Sequence, residues 1–181
     1  MTDIPTLTTE RLRLTAPRWT DVPTIVEYAG DERIAATTLN IPHPYAEQHA
    51  VWWINLAWQS WENGSKTIFG LRLRDTDEFI GGMGLHLEPD HRRAELGYWI
   101  AVPFWGKGYA TEAAAAVLRY GFTERELHRI QATHLQHNPA SGRVMEKNGM
   151  RHEATLRDYV FKNGEPQTLE QRYILRADFA P

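Results

Sequence analysis

The apolar residues change their spacing along the chain, and this change most constrains the fold. Between residues 46 and 63 they recur with the period of an amphipathic helix, at Ala50, Ile54, Ala57, Trp58 and Trp61. Gly64 is suited to end that helix, because glycine readily adopts the left-handed conformation of a C-terminal cap. In residues 67–74 and 79–88 apolar residues alternate instead, with a turn at residues 75–77 between the two runs. The pattern predicts an antiparallel hairpin that follows a long helix.

Weaker signals on either side of this hairpin predict the remaining elements. They indicate strands at 11–15, 94–102 and 129–135, helices at 20–30, at 111–123 and from Pro139 to Gly149, and a last hairpin that turns at Asn163-Gly164. Strands and helices in this order predict an α+β fold, with one mixed, mostly antiparallel sheet and helices on its faces. At 181 residues the chain has the length of one domain, so residues 1–181 are expected to form a single domain.

Charge and composition exclude several classes of protein. Lys and Arg number 20 and Asp and Glu 23, a net charge of −3, which argues against a dedicated nucleic-acid binder. There is no cysteine, which excludes a disulfide scaffold and a thiolate nucleophile. The N-terminal residues show no signal peptide, and the most apolar run, residues 113–118, is too short to span a membrane. We therefore expect a cytoplasmic protein that contacts neither nucleic acid nor membrane.

One loop between a predicted strand and a predicted helix has the residues of a phosphate site. It reads Trp105-Gly106-Lys107-Gly108-Tyr109-Ala110-Thr111. Its two glycines allow a tight turn and the close approach of a ligand to the backbone. The first helical turn adds free N–H groups and the positive end of the helix dipole, and Lys107 adds a positive charge. Such a loop can hold a phosphate or a pyrophosphate.

Of three phosphate-binding motifs, one fits this loop. The P-loop pattern GxxxxGK followed by Ser or Thr is absent. The dinucleotide fingerprint GxGxxG is matched only at Gly106 and Gly108, because Thr111 takes the place of the third glycine. A pyrophosphate-loop pattern, Gln or Arg, two residues, Gly, one residue, then Gly or Ala, fits residues 105–110 except that Trp105 takes the first position.

Three segments together resemble one family of enzymes. They are TERLRL at residues 9–14, AELGYWIAVPFWGKGYATEA at residues 94–113 and NPASGRVMEKNGM at residues 138–150. In them the chain resembles the GNAT superfamily, in its branch of RimJ/RimL-type ribosomal-protein N-acetyltransferases, where a Trp before the GKG is common. The resemblance implies a GNAT-like fold, acetyl-CoA as co-substrate, no metal, and transfer of an acetyl group to a primary amine.

The resemblance also implies which residues contact acetyl-CoA. Backbone groups of Ile100, Ala101 and Val102 are expected to bind the pantetheine arm. The pyrophosphate is expected on Trp105, Gly106, Lys107, Gly108, Tyr109, Ala110 and Thr111. Arg143 and Lys147 lie four residues apart on the helix predicted from Pro139, where they form either a solvated face or, at Arg143, a further phosphate contact. Asn138 is assigned two roles: a pantetheine contact from the resemblance, and a helix N-cap from its place before Pro139.

Two side chains are candidates for the chemistry of transfer. Glu95 is the one carboxylate of its predicted strand, and a base is needed because an amine is protonated at neutral pH. The alternatives for Glu95 are a solvent-facing position and a pair with Arg93, and Asp158 or a water chain is the next candidate for the base. Ser141 can bind CoA and hydrogen-bond the departing thiolate or give it a proton, or it can simply fill the first turn of its helix.

Aromatic and histidine residues add two further expectations. Four tryptophans crowd the long helix, namely Trp52, Trp53, Trp58 and Trp61. At least one should be exposed as a candidate wall of the acceptor cleft, whereas Trp58 and Trp61 lie on the apolar stripe and are predicted to be core. His134 and His137 should point to opposite faces at the end of a strand, so no metal site is expected there.

We thus expect an acetyl-CoA-dependent N-acetyltransferase in which the amine attacks the thioester directly. Its acceptor is left open between a protein N-terminal α-amine and a small-molecule amine such as a polyamine, an amino acid or an antibiotic. A non-catalytic acyl-CoA-binding sensor is the alternative of another class, and a homodimer is left open as the assembly. Thr168 and Leu169 stand where the family often has an acidic residue in the hairpin that shapes the acceptor pocket, so ribosomal-protein specificity is not carried over.

Overall fold

Eight strands form one sheet in the structure, a computed structural model that describes residues 4–179. In chain order the strands are β1 (Leu7–Thr8), β2 (Leu12–Thr15), β3 (Lys66–Leu73), β4 (Phe79–Glu88), β5 (Arg93–Ile100), β6 (Arg129–Leu135), β7 (Arg151–Lys162) and β8 (Glu165–Leu175). They lie side by side in the order β1-β2-β3-β4-β5-β6-β8-β7. Every neighbouring pair is antiparallel except β5 with β6, which is parallel. The predicted mixed, mostly antiparallel sheet is confirmed.

Five helices pack against or border this sheet. They are α1 (Val22–Ala29), α2 (Glu32–Thr37), α3 (Glu47–Asn63), α4 (Tyr109–Thr123) and α5 (Pro139–Lys147). Short 3-10 turns precede α1 and follow β5. Within residues 4–179 no helix combines the length and the apolar character that crossing a bilayer requires.

Most elements lie where the sequence predicts them. The strands predicted at 79–88 and 129–135 have those bounds, and α3 ends at Gly64, which has the left-handed φ of 72°. The apolar pattern does not predict α2 and β1, because six and two residues are too short for an apolar period to appear. The start of α2 depends on a local cap instead: the Asp31 carboxylate accepts the backbone N–H of Arg33 at 2.9 Å.

The apolar stripe of α3 correctly predicts the burial of only some of its tryptophans. Trp61 is 6% exposed and packs on Phe69, as predicted, and Trp52 is exposed, which confirms that the four cannot all face the core. The prediction that Trp58 is core is wrong, since its side chain is 37% exposed. Its indole Nε1 donates to the carbonyl of Pro17 at 3.1 Å, because a loop with a free carbonyl, and not the sheet, lies over this position.

The sheet opens between β5 and β6. β5 pairs with β4 along its whole length, from Arg93 to Ile100. It pairs with β6 only over its first three residues, so the two strands separate beyond Glu95 and Gln131. Two consecutive residues of β5 then point to opposite faces: the Tyr98 hydroxyl contacts α5, whereas Trp99 packs on Phe79 beside α1 and α3.

The start of α4 is tied to the N-terminal strands through Glu112. Its carboxylate accepts the Thr9 hydroxyl at 2.6 Å, the Arg11 backbone N–H at 2.8 Å and the Arg11 Nε at 2.7 Å. Burial raises the pKa of Glu112, but the hydrogen bonds from Thr9 and Arg11 lower it by more, so this pKa lies below its ordinary value. The carboxylate is therefore ionised at neutral pH and holds the entry of α4 against the β1–β2 turn.

Glu112→Gln should lower the free energy of unfolding by about 1–2 kcal/mol near neutral pH, because the amide keeps the shape but loses the charge-assisted hydrogen bonds. The folded pKa is depressed, so this contribution is present above the ordinary value of 4.5 and is lost as the pH falls through the folded pKa. Urea unfolding at a series of pH values measures the difference, which should vanish in acid. Glu88→Gln, in an exposed pair with Arg93, is the control and should change little. An equal loss in both variants would contradict the assignment.

Candidate active site

A cleft of about 790 Å³ opens where β5 and β6 separate. Its borders are the loop before α4, the first turn of α5, the β7–β8 hairpin and residues 37–41 after α2. Beyond Glu95 the edge of β5 that faces this gap has no strand partner. Backbone N–H and C=O groups on such an edge are free to bind an extended ligand.

The two glycines of the loop before α4 adopt the conformations that their role requires. Gly106 has a φ of 74° and Gly108 a φ of 83°, both left-handed, and Gly108 is the N-cap of α4. A Cβ built at Gly106 would meet nothing within 4 Å, so open space adjoins the backbone there. Tyr109, Ala110 and Thr111 form the first turn of α4 and border the cleft, and their N–H groups have no partner within the helix. This end of the cleft fits a phosphate group.

Contacts from behind hold the loop in place. The Arg11 guanidinium donates to the carbonyl of Lys107 at 3.0 Å and lies 4.6 Å from the centre of the Tyr109 ring. The Trp105 indole Nε1 donates to the carbonyl of Ile100 at 2.6 Å, so this side chain closes the turn between β5 and the loop. The tryptophan that departs from the Gln or Arg of the motif therefore has a structural role.

Most residues predicted to contact acetyl-CoA border the cleft. These are Ile100, Trp105, Gly106, Gly108, Tyr109, Ala110, Thr111, Asn138, Ser141 and Arg143. Three others do not. Ala101 is fully buried and donates its N–H to Ile80 in β4 at 2.8 Å, Val102 begins a 3-10 turn, and the Lys107 ammonium lies over the Phe104 ring, 5.4 Å from its centre. Ala101 and Val102 lie outside the cleft because the chain turns away from it immediately after Ile100, whereas the Lys107 side chain folds over Phe104.

Asn138 uses both ends of its amide within the protein. The side-chain oxygen caps α5 by accepting the N–H of Ser141 at 3.3 Å, as the sequence predicts. The amide nitrogen donates to the carbonyl of Thr37 at 3.1 Å and so joins α5 to the segment after α2. A pantetheine contact by this side chain would have to replace the Thr37 bond.

Ser141 is paired with a residue that the sequence analysis did not single out. The hydroxyls of Tyr98 and Ser141 are 2.8 Å apart, and the Tyr98 oxygen is also 3.0 Å from the Ser141 carbonyl. Burial raises the pKa of Tyr98 to about 12, although the bond to Ser141 lowers it slightly. Tyr98 is therefore protonated at neutral pH and donates its proton to the Ser141 carbonyl, while its oxygen stays within hydrogen-bond distance of the Ser141 hydroxyl.

Glu95 lies on the other side of the strand from this pair. Its carboxylate accepts the hydroxyl of Thr133 in β6 at 3.0 Å and borders the cleft at the point where β5 and β6 part. The alternative prediction that Glu95 pairs with Arg93 is wrong, because Arg93 binds Glu88 at 2.7 Å. Asp158, the second candidate for the base, does not border the cleft. The cleft thus has a carboxylate on one face of the sheet and a hydroxyl pair on the other.

Side chains from distant parts of the chain hold the rim of the cleft at the C-terminal end of α2. Lys162 in β7 donates to carbonyls there, including that of Thr38 at 2.6 Å. The Nε2 atom of His137 lies 3.1 Å from the carbonyl of Ala36, whereas the Nδ1 atom of His134 lies 2.9 Å from the carbonyl of the next residue in its own strand. The two histidines therefore have separate partners, and one of them helps to fix the rim.

Tyr98, Thr133 and Lys162 are not among the predicted site residues, and the sequence indicates a place at the site only for Tyr98. The placement of Tyr98 can be predicted from the sequence, because it comes three residues after Glu95 in the same strand and therefore faces the opposite side of the sheet. Thr133 becomes a partner of Glu95 only when β5 and β6 are placed side by side. No sequence pattern indicates the role of Lys162, because its partners are backbone carbonyls more than a hundred residues earlier in the chain.

Comparison with known proteins agrees with this geometry. The acetyltransferase (GNAT) domain family matches residues 11–151. The N-acetyltransferase p20 of Bacillus licheniformis is 30% identical over 176 residues, 97% of this chain and 98% of that protein. The [Ribosomal protein uS5]-alanine N-acetyltransferase of Escherichia coli is 32% identical over 106 residues, 58% of this chain and 55% of that protein.

Solved structures give the same result for the fold. A GNAT-family acetyltransferase from Bacillus anthracis superposes with a TM-score of 0.85 at 28% identity, over 96% of this chain and 99% of that one. The spermidine N-acetyltransferase of Vibrio cholerae, in complex with CoA and spermine, has a TM-score of 0.79 at 25% identity, over 94% and 98% of the two chains. With a family match over most of its length and a relative that aligns from end to end, this chain belongs to the GNAT family of N-acetyltransferases.

Proposed function

We propose that the protein transfers an acetyl group from acetyl-CoA directly to a primary amine held in the cleft between β5 and β6. The observation that carries the proposal is the pairing of a phosphate-binding loop at one end of the cleft with ionisable and hydroxyl groups on both faces of the sheet beside it. Acetyl-CoA supplies the activated acyl group as a thioester. The protein supplies position, a base and a hydrogen-bond donor.

The loop before α4 is proposed to hold the pyrophosphate of acetyl-CoA. Gly106 and Gly108 leave the backbone uncovered, and the first-turn N–H groups of α4 add their dipole. Arg11, which is paired with Glu112, lies behind the loop, and its Nη2 nitrogen is 3.4 Å from a Cβ built at Gly108. The free edge of β5 between Glu95 and Ile100 is proposed to bind the pantetheine arm. Similar solved structures that contain CoA support this assignment.

Glu95 is proposed as the group that takes the proton from the amine. It borders the cleft and is half-buried, and within residues 4–179 its carboxylate has one hydrogen-bond partner, the Thr133 hydroxyl, which leaves the second oxygen available. A protonated amine can attack a thioester only after the ammonium group loses its extra proton. A carboxylate at this place can accept that proton directly or through a water. Thr133 positions the carboxylate.

Ser141 is proposed to hydrogen-bond the thiolate as the carbon–sulfur bond breaks. Its hydroxyl stands in the first turn of α5, where the helix dipole also favours negative charge. The Tyr98 hydroxyl lies 2.8 Å from that of Ser141 and so fixes the position of the serine side chain. This pair contributes only as charge develops on sulfur, which is the condition for accelerating the reaction.

A small amine and a protein N-terminus remain the two candidate acceptors. The relative named as an alanine N-acetyltransferase of a ribosomal protein favours an N-terminus, but its alignment covers 55% of that protein. The spermidine N-acetyltransferase favours a small amine and aligns over 98% of its chain. Acetyl transfer to a panel of peptides and small amines, followed by CoA release, tests the proposed reaction.

Gly108→Val should weaken acetyl-CoA binding at least a hundredfold, because two charge-assisted N–H bonds at about 1.5–3 kcal/mol each would be lost. The left-handed φ of 83° adds a stability cost of about 1–3 kcal/mol. Calorimetric titration and thermal melting measure the two effects. Gly64→Val is the matched control, since Gly64 has a φ of 72° and open space around it but lies outside the cleft. It should lose stability and keep the affinity. Normal binding by Gly108→Val would refute the pyrophosphate assignment.

Ser141→Ala should lower kcat about a hundredfold and leave the KM for acetyl-CoA nearly unchanged, because the lost bond acts on charge that forms only as sulfur leaves. Tyr98→Phe should lower kcat by less, since the serine hydroxyl remains but is no longer oriented. Steady-state kinetics of both variants measure this order. A changed KM with an unchanged kcat would assign Ser141 to binding alone.

Glu95→Gln should lower the rate by on the order of a hundredfold and flatten its rise with pH, because the amide cannot accept the proton of the amine. The pH profile of kcat/KM is the measurement. Glu88→Gln, on the neighbouring strand β4 and paired with Arg93 outside the cleft, should keep the profile of the unmodified protein. A Glu95→Gln profile of normal height and shape would place the base elsewhere.

A further inference from the structure

The acceptor side of the cleft has an open floor made by a glycine. On β5, Glu95, Gly97 and Trp99 share one face, opposite to that of Tyr98. Gly97 is exposed, and a Cβ built on it would meet nothing within 4 Å. Neither backbone strain nor close packing therefore requires glycine at this place. Its effect is to leave room above the strand, directly beside the proposed base.

Indole rings form a wall next to this floor. Trp53 of α3 and Trp99 of β5 both border the cleft and both pack on Phe79, with ring centres at 6.4 and 5.9 Å. A Cβ built at Gly82 would lie 2.7 Å from Trp53 and 3.0 Å from Trp99, so these rings close over the neighbouring strand. Both tryptophans are only half-buried. An apolar surface is thus left open to a ligand beside Glu95.

The charges around the cleft allow one ammonium group to be neutralised. Among residues 4–179, Glu95 is the only carboxylate that borders the cleft. The other ionisable side chains on its walls, tyrosines apart, are basic: His86, His134, Arg143 and Lys147. The nearest acid of β8, Glu170, does not border the cleft and already accepts bonds from His152 and Thr155 at 2.8 Å each. A second or third ammonium on a ligand would be desolvated without a partner, which is costly.

From these three observations we infer that the acceptor is a primary monoamine: one ammonium at Glu95 and an uncharged, apolar or aromatic body that lies over Gly97 against Trp53 and Trp99. The inference rests on the proposed acetyl transfer and narrows its substrate class. It excludes polyamines as the preferred acceptors. The same chemistry is offered by a free apolar amine and by the N-terminus of a peptide that begins with an apolar residue.

The test compares amines that differ by one charge. Hexylamine and 1,6-diaminohexane have the same chain length, and the diamine has the statistical advantage of two reactive ends. We expect kcat/KM, measured by CoA release, to be at least about tenfold higher for hexylamine, and higher again for 2-phenylethylamine. Spermidine should be the poorest acceptor. A peptide with N-terminal Phe distinguishes the two sources: faster transfer to it than to 2-phenylethylamine identifies a peptide acceptor.

A variant of the floor provides the second arm. Gly97→Val should fold normally, because the site is open and a β-branched residue suits a strand. It should lower kcat/KM for 2-phenylethylamine at least about tenfold, and by more than it changes the KM for acetyl-CoA, because the pantetheine arm is proposed to bind backbone groups of β5 and not a side chain at this position. Equal rates with hexylamine and the diamine, or full activity of Gly97→Val, would overturn the inference while acetyl transfer itself stands. If no amine releases CoA although acetyl-CoA still raises the melting temperature, the proposed transfer fails and the inference with it.

Discussion

The separation of β5 from β6 is the constraint on which the rest of the structure depends. The two strands share only three paired residues, yet each is held firmly by its other neighbour, β5 by β4 over eight residues and β6 by β8 over seven. The sheet can therefore open at one seam without losing its integrity. The loop that leaves β5 and the helix that follows β6 both begin at this seam, which brings Gly108 and Ser141 to the same cleft.

Where the two strands separate, the helix ends and loops beside the gap have no neighbouring strand to pack on. Hydrogen bonds and an ion pair hold them in place instead, and these polar ties are made by side chains. The Arg11–Glu112 pair holds the entry of α4. Lys162, His137 and Asn138 hold the carbonyls at the end of α2, where burial lowers the pKa of Lys162. These ties come from residues far apart in the chain, so the shape of the cleft is a property of the whole fold.

Two faces of one strand explain how the cleft can serve two substrates. Along β5, Tyr98 points to α5 and Glu95 to the opposite side, and the gap beside the strand joins these two sides. A thioester bound along the strand edge and an amine that approaches over Gly97 would then meet without competing for space. The wall proposed to meet the amine is mostly apolar and carries a single carboxylate among residues 4–179, and this composition would favour an acceptor with one positive charge.

The sequence by itself determined most of the strands and helices along the chain, although not β1 and α2, and also the glycine loop, the N-cap at Asn138 and the end of α3 at Gly64. Each of these depends on spacing or on the conformational preference of one residue, and such local properties are visible in a sequence. Only the tertiary structure decided that Trp58 meets a loop carbonyl and is not core, that Ala101 and Val102 turn away from the cleft, and that Tyr98 meets Ser141. The physical reason is that each of these contacts depends on a backbone or side-chain group that is distant in the sequence. The packing of the whole fold decides which group lies next to a residue, and the local pattern of the chain does not.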